Sequence, residues 1–590
     1  MRISSYLISS GLTCFAIKQV AAECKCLPLA LVTVGRAMSN KRTPEEWSNA
    51  LDTLKASLPS GTPGLDKSTH ALVKFCYDNL ESDMVRECFL TCALWPEDHN
   101  IFKEELVQSW IGLGLLPDLG DIEEAYRFGF SVIAILKDAR LLEAGDNHRC
   151  NMYPSDTHVR LHDVVRDAAL RFAPGKWLVR AGAGLREPPR EEALWRGAQR
   201  VSLMHNTIED VPAKVGSALA DAQPASLMLQ FNKALPKRML QAIQHFTKLT
   251  YLDLEDTGIQ DAFPMEICCL VNLKYLNLSK NKILSLPMEL GNLGQLEYFY
   301  LRDNYYIQIT IPPGLISRLG KLQVLELFTA SIVSVADDYV APVIDDLESS
   351  GARMASLSIW LDTTRDVERL ARLAPGVCTR SLQLRKLEGA RAVPLLSAEH
   401  APELGGVQES LRELAVYSSD VEEISADAHM PRLEIIKFGF LTKLSVMAWS
   451  HGSNLRDVGM GACHTLTHAT WVQHLPCLES LNLSGCNGLT RLLGGAEDGG
   501  SATEEVVVFP RLRVLALLGL PKLEAIRAGG QCAFPELRRF QTRGCPRLKR
   551  IPMRPARGQQ GTVRIECDKH WWNALQWAGE DTKACFVPVL

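Results

Sequence analysis

No segment of this chain approaches the run of about 20 apolar residues that a membrane-spanning helix needs. Even the moderately apolar stretch from Leu7 to Val20 is broken by Ser9, Ser10, Gly11, Thr13 and Lys18, which also argues against a secretory signal. An excess of positive charge is missing as well. Lys and Arg number 64 against 68 Asp and Glu, a formal net charge of -4, so the basic field needed for non-specific nucleic-acid binding is absent. Motifs for chemistry are lacking too. Gly175-Lys176 is followed by Trp177 and Gly320-Lys321 by Leu322, so neither is a phosphate-binding G-x-x-x-x-G-K-[ST] loop. No G-x-S-x-G, H-E-x-x-H or calcium-loop pattern occurs, and no nucleophile and base stand at catalytic spacing, which points away from an enzyme. The 17 cysteines are an odd count without framework spacing, and Cys24-Lys25-Cys26 is too tight for a C-x-x-C zinc or redox pair. They read as reduced thiols of a cytoplasmic protein.

What is present divides into a helical first third and a periodic remainder. At 590 residues and 46% hydrophobic composition, the chain is too long for one core. Thr43-Pro44-Glu45-Glu46 is a helix start: Thr43 as N-cap, Pro44 in the first turn and Glu46 completing a capping box. Pro59 to Gly64 reads as a linker. Helical spacing recurs over Leu72–Leu80, Val85–Leu94, Lys103–Leu113, Ile122–Ala139 and Val159–Phe172, with a hairpin between Leu141 and Arg160. Helices, a hairpin and a closing helix predict a winged-helix unit. Its third helix carries one Lys and two Glu, poor equipment for a major groove. In the Val159–Phe172 stretch, His162 and Asp163 lie off the apolar stripe and form a titratable pair on the exposed side.

From about Arg200 a period governs the chain. Leu249-x-x-Leu252-x-Leu254 recurs from Leu273, Leu296 and Leu322, at steps of 24, 23 and 26 residues. After a blurred stretch from 330 to 410 it returns from Leu411, Leu433, Leu455, Leu478, Leu512 and Leu537. This is the leucine-rich repeat. Each repeat supplies a short strand with alternate residues inward, and an Asn or Cys where the backbone turns and needs an internal partner. No repeat buries its leucines alone, so the repeats stack into a solenoid. The acidic, glycine-rich segment 494–505 reads as a loop between repeats, and the tail from Glu566, with Trp571, Trp572 and Trp577, as a cap on the solenoid's open end.

Residues flanking the inward leucines should face outward on the strands. They include Tyr251, Asp253, Tyr275, Asn277, Tyr298, Tyr300, Arg302 and Phe328. The column Tyr251, Tyr275, Tyr298 is in register, and it has two readings: rings supporting one another across strands, or anchors of a protein-binding surface. Further along, Arg538, Arg539, Arg543, Arg547, Lys549 and Arg550 make the exposed set basic; this reads as a solvated edge or a site for an acidic partner.

The motifs appear in a telling order: Cys26-Leu-Pro-Leu-Ala-Leu31, C-F-L-T-C-A-L-W-P-E-D from Cys88 to Asp98, Leu161-His162-Asp163, then the repeats. This order resembles the plant nucleotide-binding leucine-rich-repeat (NB-ARC-LRR) disease-resistance proteins, especially the coiled-coil class. The resemblance implies a helical subdomain plus winged-helix unit followed by an α/β leucine-rich-repeat solenoid. It divides the chain into 1–60, a remnant of the NB-ARC helical subdomain; 61–180, a winged helix; 190–565, the repeats; and 566–590, the cap. It implies ADP/ATP as the family's switch ligand, with Pro28 beside the adenine, His162 at the β-phosphate and Asp163 holding the closed state. Cys26 stands where the family has glycine, and Leu161 where it has methionine. The phosphate loop, the acidic strand that holds magnesium and the coiled coil are expected to precede residue 1, so this chain alone should bind nucleotide weakly or not at all. The implied partners are a pathogen effector or a guarded host protein, together with the chain's own switch region touched by its repeats. Neither nucleic acid nor a membrane span is implied. The alternative is a nucleotide-independent leucine-rich-repeat scaffold for protein interaction.

Overall fold

The computed structural model describes residues 65–145, 157–212, 222–302, 309–327, 341–493, 506–554 and 561–589, short gaps inside these ranges apart, and scattered positions between 43 and 52. The 1–60 subdomain, Pro28 and Phe328 therefore lie largely or wholly outside the described residues, as does the acidic loop 494–505. At the edge of that region the capping box is present. Thr43 Oγ1 accepts from the Glu46 amide at 3.3 Å, and the Thr43 amide donates to Glu46 Oε2 at 3.0 Å.

The chain folds as two compact units, the first holding most of the residues up to Leu278 and the second most of those from Ser279 onward. The first unit begins with helices α1 (Leu65–Asp78), α2 (Asp83–Cys92), α3 (Lys103–Gly112), α4 (Ile122–Asp138) and α5 (Asp163–Phe172). Strands β1 (Ile101–Phe102), β2 (Glu143–Ala144) and β3 (His158–Arg160) form an antiparallel sheet in the order β1-β3-β2. The helices start where their caps dictate. Ser82 Oγ accepts from the Val85 amide at 3.2 Å at the head of α2, and Asp121 Oδ1 from the Glu123 amide at 2.9 Å at the head of α4. The aromatic and apolar residues of the Cys88–Asp98 motif fill the core: Phe89, Leu90 and Leu94 are 0% exposed and Trp95 is 1%.

One expected helix is two elements. Val159 and Arg160 pair with Ile101 and Glu143 as strand residues, and α5 begins only at Asp163. The apolar spacing of a short strand runs on into that of the helix, and the period alone cannot mark the break. His162 is consequently the N-cap, at φ -66° and ψ 144°, rather than a residue on the helix flank.

The same unit continues into parallel strands: β4 (Lys176–Val179), β5 (Ala198–Ser202), β6 (Ser226–Met228), β7 (Tyr251–Asp253) and β8 (Tyr275–Asn277), each paired with the next. The sheet thus starts at Lys176, ahead of the boundary expected at 190. The second unit carries a longer run of the same kind: β9 (Tyr298–Tyr300), β10 (Val324–Glu326), β11 (Met354–Leu361), β12 (Val377–Arg385), β13 (Glu413–Tyr417), β14 (Ile435–Gly439), β15 (Asp457–Gly461), β16 (Ser480–Ser484), β17 (Val514–Leu518), β18 (Arg539–Arg543), β19 (Val563–Cys567) and β20 (Phe586–Val589). These also pair in parallel, in sequence order. The tail expected as a separate cap supplies β20, so it extends the sheet. Where the repeat pattern blurs, helices α6 (Ala341–Ser350), α7 (Thr364–Leu373) and α8 (Ala401–Ser410) back the strands. This is leucine-rich-repeat solenoid architecture, with Leu252, Leu276, Leu325, Leu357, Leu382, Leu414, Leu481 and Leu515 pointing into the core at 2% exposure or less.

The turn after each strand explains the Asn and Cys positions. Asn232 Nδ2 donates to the carbonyls of Leu229 at 2.8 Å and Leu203 at 2.9 Å, and Asn206 Nδ2 to those of Leu203 at 2.9 Å and Arg180 at 2.8 Å. In these two turns a side-chain amide thus satisfies backbone groups that stacking would otherwise leave buried and unpaired. Farther along, Cys463, Cys486 and Cys545 take the position, their thiols directed at carbonyls of Gly461, Ser484 and Leu517. The preceding residue is left-handed at His205, Phe231, Lys280, Ala462, Gly485 and Gly544. At Gly544 a Cβ would also meet Gly519 Cα at 3.1 Å, so there the glycine serves both conformation and close stacking.

Candidate functional site

His162 sits at the head of α5 with its side chain 48% exposed, and its Nδ1 meets Asp163 Oδ1. Asp163 Oδ1 also accepts from the Val164 amide at 2.6 Å, so one carboxylate serves both the imidazole and a free donor of the helix N-terminus. One turn later, Arg166 Nε donates to the Trp95 carbonyl at 2.8 Å. The His162-Asp163 turn and the Cys88–Asp98 motif are therefore tied together by a half-buried guanidinium. Burial lowers the Arg166 pKa, while Glu97 and Asp167 work to raise it. In the sequence Arg166 is marked only as a neighbour of the His162-Asp163 pair, one turn inside α5; its bond to the Trp95 carbonyl carries no signal in the spacing.

The tyrosine column is not a free surface. Tyr251 and Tyr275 are 0% and 1% exposed, with ring centroids 4.2 Å apart and planes 7° from parallel. Helix α3 covers them. Gln108 Nε2 donates to the Tyr275 hydroxyl at 3.0 Å, and the Tyr251 hydroxyl lies 3.2 Å from Ser109 Oγ. Gly112 is small because it has to be: a Cβ there would stand 2.2 Å from the Tyr275 ring. The expectation that Tyr251, Asp253, Tyr275 and Asn277 lie exposed is thus corrected; all four are 3% exposed or less. The reason is that the outward face of these strands is filled by a helix lying more than 130 residues earlier in the chain. The stacked-ring reading describes the Tyr251–Tyr275 pair. In the second unit, Tyr300 is buried at 1%, while Tyr298 and Arg302 are half-buried, with Arg302 against Glu326.

Asp253 lies under this stack. Burial, reinforced by Glu255, pushes its carboxyl well above the usual range, against the Glu255 amide that donates to Oδ1 at 3.0 Å. Burial likewise raises the Tyr251 hydroxyl, with Asp253 adding to it. A second titratable cluster joins the helices to the first turns. The His99 and His205 rings are 4.3 Å apart, and His205 stacks on Phe231 at the same separation. Burial lowers both imidazoles to about 4, with His158 opposing charge on His99 and His99 opposing it on His205. The Ser202 hydroxyl completes the joint by donating to the Leu94 carbonyl at 2.7 Å. None of these polar contacts was legible in the repeat pattern.

In the second unit the edge positions preceding β13 to β17 carry alternating charge. Arg412 Nε lies 3.0 Å from Glu434, Arg456 lies 3.8 Å from Glu434 and 3.3 Å from Glu479, and Arg513 lies 3.3 Å from Glu479. On the outward positions of β13 and β14, Lys437 Nζ is 2.8 Å from Glu413. Among the described residues no cluster of His, Cys, Asp and Glu could hold a metal ion, and no helix is long and apolar enough to cross a membrane.

The Leucine Rich Repeat family profile matches residues 272–293. A disease-resistance protein of Arabidopsis thaliana is 30% identical over 97% of this chain and 61% of its own length. A second is 31% identical over 97% of this chain and 60% of its own. The disease resistance protein RPS5 of the same plant is 28% identical over 97% and 61%. The chain thus spans about 60% of the length of these curated relatives. Among solved structures, a leucine-rich-repeat protein of Leptospira interrogans aligns at a TM-score of 0.31 and 19% identity over 52% of this chain and 77% of its own. The chain is thus similar to plant disease-resistance proteins along nearly all of its own length, and the leucine-rich repeat is both matched and built, in line with the family that its motif order resembles.

Proposed function

We propose that this chain serves as an intracellular plant immune receptor, or as the sensing part of one. Its repeats recognise a pathogen effector or a guarded host protein, and its helical unit belongs to an ADP/ATP switch. Helices α1 to α5 with the β1-β3-β2 sheet are read as the winged-helix subdomain of that switch. The protein works by binding in the cytoplasm rather than by catalysis on a substrate of its own. The observation that carries this reading is the joint within the first unit. The His162-Asp163 turn is tied through Arg166 to the Trp95 carbonyl, and the same block covers Tyr251 and Tyr275 through α3. A change at the turn is thereby coupled to the first repeats through one packed body.

A nucleotide phosphate is compatible with the residues at that turn. An imidazole donor and the N-terminus of a ten-residue helix both favour an anion. His162 would contribute a hydrogen bond and Asp163 would hold the imidazole in place; a bound nucleotide would supply the charge that fixes the closed arrangement. The test uses a longer chain that also contains the family's nucleotide-binding module. There, Asp163→Val should release the closed state and give a constitutive defence response on leaf expression. A silent Asp163→Val variant that accumulates normally would remove the switch role.

The half-exposed His162, with no phosphate loop in the sequence, favours a second reading of this chain by itself, as a nucleotide-independent interaction scaffold. Calorimetric titration with ADP separates the two. No heat is expected for the chain alone, whereas tight magnesium-dependent binding would exclude the scaffold.

A further inference from the structure

Along the outward positions of the second unit's sheet, charge is balanced strand by strand until the last repeats. From Arg412 to Glu479 the edge alternates Arg, Glu, Arg, Glu, each within 3.8 Å of the next, and Glu413, Lys437 and Asp457 sit just inside it. After Arg513 the alternation stops. The next edge residue is Arg538, whose amide donates to the Arg513 carbonyl at 2.9 Å, so the two are immediate neighbours of like charge. One position inward, Arg539 and Arg564 are direct partners in the β18–β19 register. Adjacent strands lie about 4.8 Å apart, and like charges directly opposite one another are unfavourable. Arg543 adds a further charge at the end of β18.

Only one carboxylate, Glu566, occupies the outward positions of β17, β18 and β19, and it is already engaged. It lies 2.5 Å from Arg539 and accepts from Gln541 Nε2 at 2.8 Å. Arg538, Arg543 and Arg564 are exposed, Arg538 reaching Glu536 in the preceding turn at 3.7 Å. The floor leading to them is low. Outward positions on the neighbouring strands include Gly459, Gly461, Ser484 and Ala516, and a Cβ at Gly459 or Gly461 would meet nothing closer than 3.5 Å.

We propose that this end of the sheet, Arg513, Arg538, Arg539, Arg543 and Arg564, is a docking surface for an acidic segment of a partner protein. The proposal rests on the ligand-recognition reading above and gives that ligand a chemistry. Carboxylates placed among Arg539, Arg543 and Arg564 would neutralise a like-charge array that the strand register holds together, and the low floor lets a partner's backbone approach. Guanidinium groups suit this task because they grip carboxylates in a fixed fork. Single-stranded nucleic acid fits less well. The outward positions of β17 to β19 carry Val514, Ala516, Leu518 and Gln541 beside the arginines, with no aromatic ring for bases to stack on.

The test uses the full chain and three fluorescent probes of matched length: a Glu-rich peptide, the same peptide with Gln for Glu, and a single-stranded DNA. Anisotropy at physiological salt should show the Glu peptide binding at least about tenfold more tightly than the Gln peptide or the DNA. Arg543→Glu with Arg564→Glu should abolish that preference, while Arg372→Glu, on the exposed side of α7, should leave it intact. Arg564→Gln should weaken the peptide while leaving the cooperative unfolding transition in place; this separates loss of docking from loss of folding. Equal affinity for the Glu and Gln peptides, indifference to the double reversal, or tighter binding of DNA would each overturn the proposal. None of these results depends on the leaf response to Asp163→Val, so the two readings fail separately.

Discussion

Replacing Tyr275 with Phe tests whether α3 and the first repeats form one buried joint. The substitution keeps the ring stacked on Tyr251 and deletes one oxygen. That oxygen accepts from Gln108 Nε2 at 3.0 Å, and both residues are buried, at 1% and 8% exposure. A buried amide donor left without its acceptor costs about 1–3 kcal/mol. The cost should fall mainly on the joint, so hydrogen exchange across residues 103–112 should quicken by roughly tenfold for each 1.4 kcal/mol lost. Gln108→Leu removes the stranded donor. Introduced into the Tyr275→Phe background it should recover much of the loss, giving a coupling energy of about 1–2 kcal/mol in a double-mutant cycle. Urea unfolding of the four proteins supplies the equilibrium side of the cycle. If Tyr275→Phe changes neither the exchange of α3 nor the unfolding midpoint, the hydroxyl faces water, α3 does not cover it, and the tyrosines return to the surface as ligand anchors.

Two further outcomes follow from buried titratable groups in the same unit. His99 and His205 are lowered to about 4 from an ordinary value near 6.5. The unfolded chain therefore binds protons that the folded joint refuses. The stability they contribute is complete above pH 6.5 and is lost as pH falls toward 4, about 1–2 kcal/mol after allowance for partial exposure; His99→Phe with His205→Phe should flatten melting temperature against pH across that window. Asp253 has the opposite sign: its raised carboxyl favours folding at low pH and penalises it as pH rises through the shifted value. Asp253→Asn should accordingly stabilise the unit at pH 7 by about 1 kcal/mol and leave it little changed at pH 4, read by the same melting curves.

The repeat architecture was legible because its period is enforced at every step. A leucine missing from its place leaves a hole in the stack, and a turn without its Asn or Cys leaves carbonyls unpaired, so the pattern cannot drift far. The column Tyr251-Tyr275 was legible for the same reason. Its cover was not, because the outward face of a repeat strand carries no mark of what lies upon it; that information sits in α3. The signal there was the second half of α3, where Leu106 to Ile111 are all buried, the polar Gln108 and Ser109 among them, while Lys103, Glu104 and Glu105 are confined to the first turn. The single helix expected over Val159–Phe172 dissolved into strand and helix for a related reason. Three strand residues and the first helical turn place apolar side chains compatibly, and only the cross-strand partners Ile101 and Glu143 decide where one ends.

The composition of the joint bears on what it is for. Its contacts include Gln108 with Tyr275, Ser109 with Tyr251 and Ser202 with the Leu94 carbonyl, beside a buried Asp253 and two imidazoles held neutral. An apolar interface of the same extent would hold more firmly, since each of these groups gives up its hydration before it gains a partner. Hydrogen bonds instead fix one geometry and lose less when it is abandoned, because water takes their place at once. A purely structural seam gains nothing from that exchange, whereas a seam that opens on a signal gains both a defined closed state and a low cost of leaving it. On the switch reading, the tyrosines covered in the closed form are then the first groups of the repeats that opening would bring to the surface.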